Sequence, residues 1–579
     1  MAGSKQLWLT WNMVRSLISR LLRRYQARHP YQANLAIRRL DKLVLTTRIK
    51  TNMARSTITP CPVALTSLQV QPVYVTALVC LQLVVVMGIS QSAHAIPSAR
   101  VTARVVTTGI QTSRLPLNME IYTIPIRTAD SPDKYILYRP LAGLAFVGNK
   151  AMVAQTTNLM NDKVELASHQ NTATAFLRQI GFLEPDPAPP ASMQADFLPT
   201  MAVLLLTNQC QLRCTYCYAA AGESARQELS VDLGKTAIDH VCKNAQALGK
   251  SGFEVSFHGG GEPTLAWQTM EACVMYARQK PLPAKLTLQS NGLWPEKKRE
   301  WLLNNFDSLS LSMDGSPTTQ DRQRPRVSGR GSSRDVMQTI QELDKRKFAY
   351  GIRMTATAPW ENFPRDVQYI CESTQCPSLQ VEPAFNTKRG GHGNPNVEEA
   401  RAFAQAFLEA FDIATKAGRE LVYSGARLGK VTSAFCMAPY DALIVSGNGT
   451  LVTCYEVTSA SHDLAKLSNI GQVEGGQIHV DHSARKSLHA KMAQRRTMCR
   501  DCFCYWSCAG DCYARTFDSC DEGYLQYGAR CETNRYILEG LLLDAIAEGE
   551  GVWFDPVRHF PPASQTPPPA TALVPESIA

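Results

Sequence analysis

The sequence predicts an α/β protein in which alternating strands and helices lay down a parallel sheet, followed by a separate cysteine-rich domain. Three observations predict it. Apolar, strand-like runs alternate with helical stretches between Met201 and Ala384 across short connections, the order that builds a parallel sheet. The chemically distinctive residues fall at the carboxyl ends of those strands, where such sheets place their ligands. The 18 cysteines cluster at short spacings, which suits metal or cluster binding in a reducing compartment better than disulfides.

At 579 residues the chain has room for two or three domains. A net charge of +10 invites a nucleic-acid partner, but its distribution argues against one. Residues 1–119 carry 15 Lys/Arg and one acid, Asp41, while the remainder holds 45 basic against 49 acidic residues. No nucleic acid is expected. Residues 1–118 read as a basic and apolar extension, with an Arg-rich opening, an apolar run from Val73 to Ser90 and the small-residue stretch Ser92-Ala-His-Ala95. A signal peptide, a short membrane span and a true translation start near Met119 are all open readings. Membrane contact is expected only if this extension is real. Export would carry oxygen-sensitive chemistry into an oxidising space, so a cytoplasmic location is expected.

Residues 119–190 predict a small α+β domain. Ile121–Ile126 and Lys134–Leu144 read as strands, Gly148-Asn149 as a turn and Thr172–Ile180 as a helix. Pro185–Pro190 reads as a linker. Residues 195–425 then carry the alternating pattern. Strands are predicted over Met201–Leu206, Phe253–His258, Lys285–Gln289, Ser308–Met313, Tyr350–Thr357 and Leu379–Ala384, with long helices over Val231–Leu248 and Val397–Ala417. Residues 430–545 form the cysteine-rich domain. The Pro-rich stretch 546–579 reads as a disordered tail.

Directly after the first of these strands stands Cys210-Gln-Leu-Arg-Cys214-Thr-Tyr-Cys217. Four thiolates saturate a cubane iron–sulfur cluster, so three leave one iron open to a small chelating ligand. Zinc, which favours paired C-x2-4-C knuckles, and a run of buried cysteines are the other readings of the spacing alone. His258-Gly-Gly-Gly-Glu262-Pro263 follows the next strand, where glycines let the backbone approach a ligand. Ser312 stands at the end of a later strand and Arg334 some twenty residues on.

In this order the motifs resemble the radical S-adenosylmethionine (SAM) superfamily, and the resemblance covers about residues 200–540. It implies a partial (β/α)6 TIM-like barrel. It further implies a 4Fe–4S cluster on Cys210, Cys214 and Cys217, with Tyr216 fitting the motif and SAM bound to the open iron. Gly260, Gly261 and Glu262 would hold the SAM amino group, and Ser312 and Arg334 its carboxylate, for which a guanidinium is suited.

The later cysteines sharpen the resemblance. Cys436, Gly449, Cys454, then Cys499-x2-Cys502-x5-Cys508-x3-Cys512 and Cys531 resemble the pattern of the SPASM domain. A two-zinc ribbon is the competing reading. The resemblance implies one or two auxiliary iron–sulfur clusters, on Cys436, Cys454 and Cys512 and on Cys499, Cys502, Cys508 and Cys531. Cys504 or Cys520 would be the fourth ligand of the first, unless an iron stays open there.

The implied activity is reductive cleavage of SAM to a 5'-deoxyadenosyl radical, which takes hydrogen from a peptide or protein. A ribosomally made peptide is the expected substrate and a flavodoxin or ferredoxin the electron donor. The alternatives are an anaerobic sulfatase-maturing enzyme and an electron-transfer or redox-sensing protein. In the sulfatase maturases an Asp follows the second SPASM cysteine as general base. Here Tyr455 and Glu456 follow, and Tyr is a poor base near neutral pH. Strand alternation would point Glu456 away. Glu382, Tyr455 and Glu456 are the catalytic candidates.

Overall fold

The computed structural model describes residues 119–126, 133–161, 172–191, 196–385, 387–390, 393–460, 462–516 and 528–559. The extension 1–118, Cys520 and the end of the chain from 560 lie outside them.

Seven parallel strands carry the sheet: β4 (Met201–Leu205), β5 (Phe253–His258), β6 (Ala284–Ser290), β7 (Ser308–Ser312), β8 (Tyr350–Ala356), β9 (Ser378–Pro383) and β10 (Glu420–Tyr423). The first six match the strands read from the sequence. Helices between them, such as Val231–Ala247, Trp267–Arg278 and Ser333–Arg346, cover one face. Ser230 caps the first of these, its side chain accepting from the Leu233 N–H at 3.3 Å.

The sheet has two unlike faces. Val255, Phe257, Leu286, Leu288, Leu309, Leu311 and Ile352 point into the helix layer, each no more than 3 % exposed. Burying such a side chain contributes about 1.5–3 kcal/mol. The alternate positions are polar: Glu254, Ser256 and His258 on β5, Thr287 and Gln289 on β6, Ser310 and Ser312 on β7, Arg353 on β8, and Gln380 and Glu382 on β9. A parallel sheet apolar on both sides would be an ordinary layered core. This one keeps a polar face.

The cysteine-rich region is not a separate body. Its strand β11 (Ala442–Val445) pairs parallel with β4, and β12 (Thr450–Val452), β13 (Asn469–Glu474) and β14 (Gln477–Val480) continue the same sheet as an antiparallel meander. One 11-stranded sheet therefore runs through both regions.

The amino-terminal module differs from its sequence reading. The run from Lys134 is two strands, β2 (Lys134–Arg139) and β3 (Leu144–Asn149), reversed at Pro140–Gly143. Gly143 supplies the left-handed conformation, φ +67°, and its N–H donates to the Pro140 carbonyl at 3.2 Å. Gly148-Asn149 ends β3 rather than turning the chain, and a helix over Lys150–Asn161 follows. Its Thr-rich sequence lacks the apolar periodicity that would have announced it.

The carboxyl end also departs from expectation. Helix Ala529–Glu548 packs along Val397–Lys416, and β15 (Val552–Phe554) then adds to β3, completing a four-stranded sheet with β1 (Tyr122–Pro125). Where a disordered tail was expected from 546, Trp553 is buried, its ring tilted at 52° to that of Tyr138 with centroids 6.2 Å apart. Three residues carry too little periodicity to read as a strand, and the neighbouring prolines obscured them. No helix among the described residues is long and apolar enough to cross a membrane.

Candidate active site

The loop Leu206–Cys217 leaves the carboxyl end of β4. Arg213 folds back to donate to the carbonyls of Cys210 (2.8 Å) and Leu212 (2.9 Å), and its own N–H donates to Pro325 O at 2.7 Å. Arg389 holds the loop from the other side, reaching Cys214 O at 2.7 Å and Ala221 O at 2.9 Å. Cys210 Sγ accepts from the Leu212 N–H at 3.4 Å and the Asn291 amide at 3.8 Å. Burial pushes the Cys210 thiol up to about 12 and the Cys214 thiol to about 11. Both are thiols as they stand, and a bound metal would displace their protons. The three sulfurs do not converge as a finished site: among the described residues no three Cys, His, Asp or Glu side chains hold an ion in place.

Beside this loop lies the Gly-rich turn after β5. Gly261 N–H donates to Thr207 O at 2.9 Å and Glu262 N–H to Gln209 O at 2.8 Å. A Cβ on Gly261 would stand 2.1 Å from Gln209 O, and one on Gly260 would stand 2.5 Å from Thr458 Cγ2. Only glycine fits this cradle. Glu262 is placed differently from its expected role on an amino group. It is 2 % exposed, and its carboxylate accepts from Thr264 Oγ1 (2.7 Å), Thr264 N (3.2 Å), Ser290 Oγ (2.7 Å) and Asn291 N (2.9 Å). Four donors fill it, and it ties the loops after β5 and β6 together. Burial raises its pKa.

Tyr216 points inward as well, donating to Asp314. Asp314 is 2 % exposed and also receives Arg324 at 2.9 Å through both Nε and Nη2, Gln323 Nε2 at 2.9 Å and Thr355 N at 2.8 Å. This hub braces the cysteine loop, and the Tyr216 hydroxyl is spent on it. Ser312 is half-buried at the end of β7, whereas Arg334 is exposed on the first turn of helix Ser333–Arg346. The register partner of Ser312 is Arg353 on β8.

Arg353 was not singled out from the sequence, and neither was His258 as a lumen residue. Arg353 bonds Gln380 Oε1 at 2.9 Å and influences His258, Tyr455, Glu382 and Cys436 electrostatically. Burial first, then Arg353, push His258 down to about 4. The imidazole is neutral near pH 7 and stacks on Tyr455 at 4.9 Å and 25°. The polar–apolar alternation along β5 to β9, unusual for a parallel sheet, was the signal that would have found them.

Of the catalytic candidates, Glu382 lies on the polar face. It accepts from Ser424 Oγ, and Arg530 stands 3.7 Å away. Burial raises its pKa. Burial, then Cys436 and Cys454, push Tyr455 further from any basic role. Residues 453–456 turn rather than continue β12, so strand alternation does not position Glu456. Its carboxylate is instead gripped by Arg515 through both guanidinium nitrogens.

The later cysteines sort into two neighbourhoods. Cys436, Cys454 and Cys512 pack on one apolar cluster with Val203, Leu205 and Ile444. Cys499, Cys502, Cys508 and Cys531 lie within electrostatic reach of one another. Cys504, a candidate fourth ligand for the first group, belongs with the second. It is buried, hydrogen-bonds Cys502 and helps hold the Cys502 thiol down at about 6. Asp511 braces this region, accepting from Arg530 Nε at 2.8 Å and Asn534 Nδ2 at 3.4 Å, and Asn534 Nδ2 also reaches Cys508 Sγ at 3.4 Å.

Residues 204–358 match the family model of the Radical SAM superfamily. The sporulation killing factor maturation protein SkfB of Bacillus subtilis (strain 168) is 24% identical over 320 residues, 53% of this chain and 69% of that protein. Fe-coproporphyrin III synthase of Methanosarcina barkeri (strain Fusaro / DSM 804) is 23% identical over 295 residues, 50% of this chain and 70% of that protein. Among solved structures, native anSMEcpe with bound AdoMet shares 18% identity at a TM-score of 0.49, covering 60% of this chain and 99% of that chain. The family match covers residues 204–358, and a 4Fe–4S cluster and SAM are inherent to that family. In donor chemistry, three thiols on one loop beside a cradle that only glycine can form suit those groups, although the sulfurs are not drawn together as ligands.

Proposed function

We propose that this radical SAM protein modifies a peptide, most consistently one made on the ribosome. A reduced cluster and SAM, when bound, supply a 5'-deoxyadenosyl radical that takes hydrogen from the substrate. The observation that carries the reading is the meeting of three parts at one end of the sheet. The Cys210–Cys217 loop, the Gly259–Gly261 cradle and the loop after Cys454 adjoin, the last through Thr458 against Gly260 and Tyr455 on His258.

In this reading Cys210, Cys214 and Cys217 hold the SAM cluster and leave one iron for SAM. The Gly260–Gly261 backbone receives its amino-acid end. Ser312 and Arg334 take the carboxylate, with Arg353 facing the same polar space. Cys436, Cys454 and Cys512 hold one auxiliary cluster with an iron open to a substrate thiolate, and Cys499, Cys502, Cys508 and Cys531 hold a second. Glu382, whose pKa burial raises, stands on the polar face as the carboxyl group able to exchange a proton there. A flavodoxin or ferredoxin is the electron donor. The peptide reading gains further support from Tyr455 and Glu456, since a formylglycine-forming enzyme would need a base there. One is stacked and hard to ionise, and the other is locked to Arg515.

The test is anaerobic. Reconstituted, dithionite-reduced protein given SAM should release 5'-deoxyadenosine, and short peptides encoded beside the gene should lose hydrogen by mass spectrometry. Iron–sulfur absorbance without SAM turnover would leave an electron carrier, and formylglycine in a sulfatase peptide would replace the peptide-maturase reading.

A further inference from the structure

Arg427 lies on the loop after β10, in Ser424-Gly-Ala-Arg-Leu-Gly429. Only 8 % of it is exposed. Its Nε donates to the carbonyl of Ser507, the residue before Cys508, at 3.2 Å. Its guanidinium stands 5.6 Å from the ring of Phe435, the residue before Cys436. One side chain thus touches the immediate neighbour of a cysteine in each set.

Arg427 is also incompletely satisfied. Its Nη2 is buried and has no hydrogen-bond partner. The carboxylates that feel its charge, Glu382 and Asp511, are engaged by Arg530. Burial pulls its pKa down, and the groups that most favour its charged form are Cys508 and then Cys436. A buried cation with a free donor is costly unless an anion faces it. Arginine stays protonated even so. Beyond those two engaged carboxylates, the groups that favour its charge are Cys508 and Cys436, one from each set, thiols that become anionic only when they ligate a metal cluster.

We infer that Arg427 is a positioning residue shared by the two auxiliary clusters, its unpartnered N–H and its charge directed at their sulfurs so that their reduction potentials are held up. The physical basis is general: hydrogen bonds to cluster sulfur and local positive charge stabilise the reduced, more negative state. The inference rests on the proposal that both cysteine sets carry clusters. It adds that the two are electrostatically coupled through one side chain, which no spacing of cysteines implies. Arg427 lies on a strand-end loop, so its placement owes nothing to the cysteine motif.

The experiment uses full-length protein in which Cys210, Cys214 and Cys217 are replaced by Ala, so that only auxiliary signals remain. Iron content and EPR-monitored redox titrations are compared for this parent and for the parent carrying Arg427→Met or Arg427→Lys. The expected result is equal iron, auxiliary midpoint potentials shifted negative in Arg427→Met, and a return part of the way in Arg427→Lys. Iron lost from Arg427→Met but kept in Arg427→Lys would equally show that the cation is needed. Unchanged potentials with full iron in Arg427→Met would overturn the inference, as would equal iron loss in both variants, which marks a role in folding alone. If the parent triple-Ala protein itself retains no iron, the auxiliary-cluster reading fails first, and the inference with it.

Discussion

The two cysteine regions are each braced by one buried aspartate, and the difference between the braces is instructive. Asp314 gathers donors at or beside the cysteine loop: Tyr216 from the loop itself, Gln323 and Arg324 from the next helix and Thr355 from β8. Its loop holds three thiols within eight residues, so the cysteines are local even though Asp314 and Arg389, which brace them, are distant in sequence. Asp511 instead recruits Arg530 and Asn534 from helix Ala529–Glu548, and that helix brings Cys531 with it. Arg495 adds a second tie, bonding Gly510 O at 3.0 Å and Cys531 Sγ at 3.5 Å. The cysteines of the first site lie in one stretch; those of the second meet only when distant segments dock.

The largest test of that contrast is Cys214→Ala. It should abolish release of 5'-deoxyadenosine while leaving the iron bound by the later cysteines, as chemical iron analysis would read; full turnover in this variant would refute the assignment of the loop. Gly261→Ala should come next, because its Cβ has no room beside Gln209 O. Displacing the cradle by even ~1.4 kcal/mol weakens SAM binding about tenfold, measurable by equilibrium dialysis, with the later cysteines unaffected.

Removing Asp314 takes away the ion-pair partner of the buried Arg324, a loss of about 3–5 kcal/mol, whereas Arg530 without Asp511 keeps Glu382 at 3.7 Å. Asp314→Ala and Asp511→Ala should both lower the denaturation midpoint, Asp314→Ala by more. They should differ in hydrogen exchange: Asp511→Ala exposes amides of helix Ala529–Glu548, while Asp314→Ala exposes the loop around Cys214. Equal exposure in the two variants would erase the distinction between a local and a recruited site.

A smaller effect should appear in the pH profile. His258 is held at about 4, below the ordinary value of 6.5, so its contribution to stability is fully present above about pH 6.5. It is lost as pH falls toward 4, with a slope of at most about 1.4 kcal/mol per pH unit. His258→Phe should therefore flatten that limb in urea titrations across pH 4–7. An unchanged limb would show that the ring against Tyr455 is not desolvated.

The same contrast explains how much could be read in advance. The strands from Met201 to Ala384 were legible because apolar periodicity and short connections are local properties, and the cysteine loop was legible because its ligands are neighbours. Glu262 and Tyr216 were legible as residues of the site but not in their roles. Whether a carboxylate faces a ligand or takes Thr264, Ser290 and Asn291 depends on where those donors fold. Glu456 was misjudged by assuming a strand where the chain turns. Cys504 stood with Cys520 as a possible fourth ligand of the first set, and spacing alone does not show that it lies beside Cys502. β15 was invisible, since three residues beside prolines acquire strand character only from β3.

The sequence by itself determined the succession of strands and helices, the thiol loop at the end of β4 and the glycines that must crowd it. Each follows from side-chain pattern or steric need within a few residues. Only the tertiary structure decided the rest: one sheet continuing from the barrel strands into the cysteine-rich region, His258 meeting Tyr455, and Arg427 standing between Phe435 and Ser507. Those arrangements join residues tens to hundreds of positions apart, and burial energy summed over the whole core, rather than any local preference, selects them.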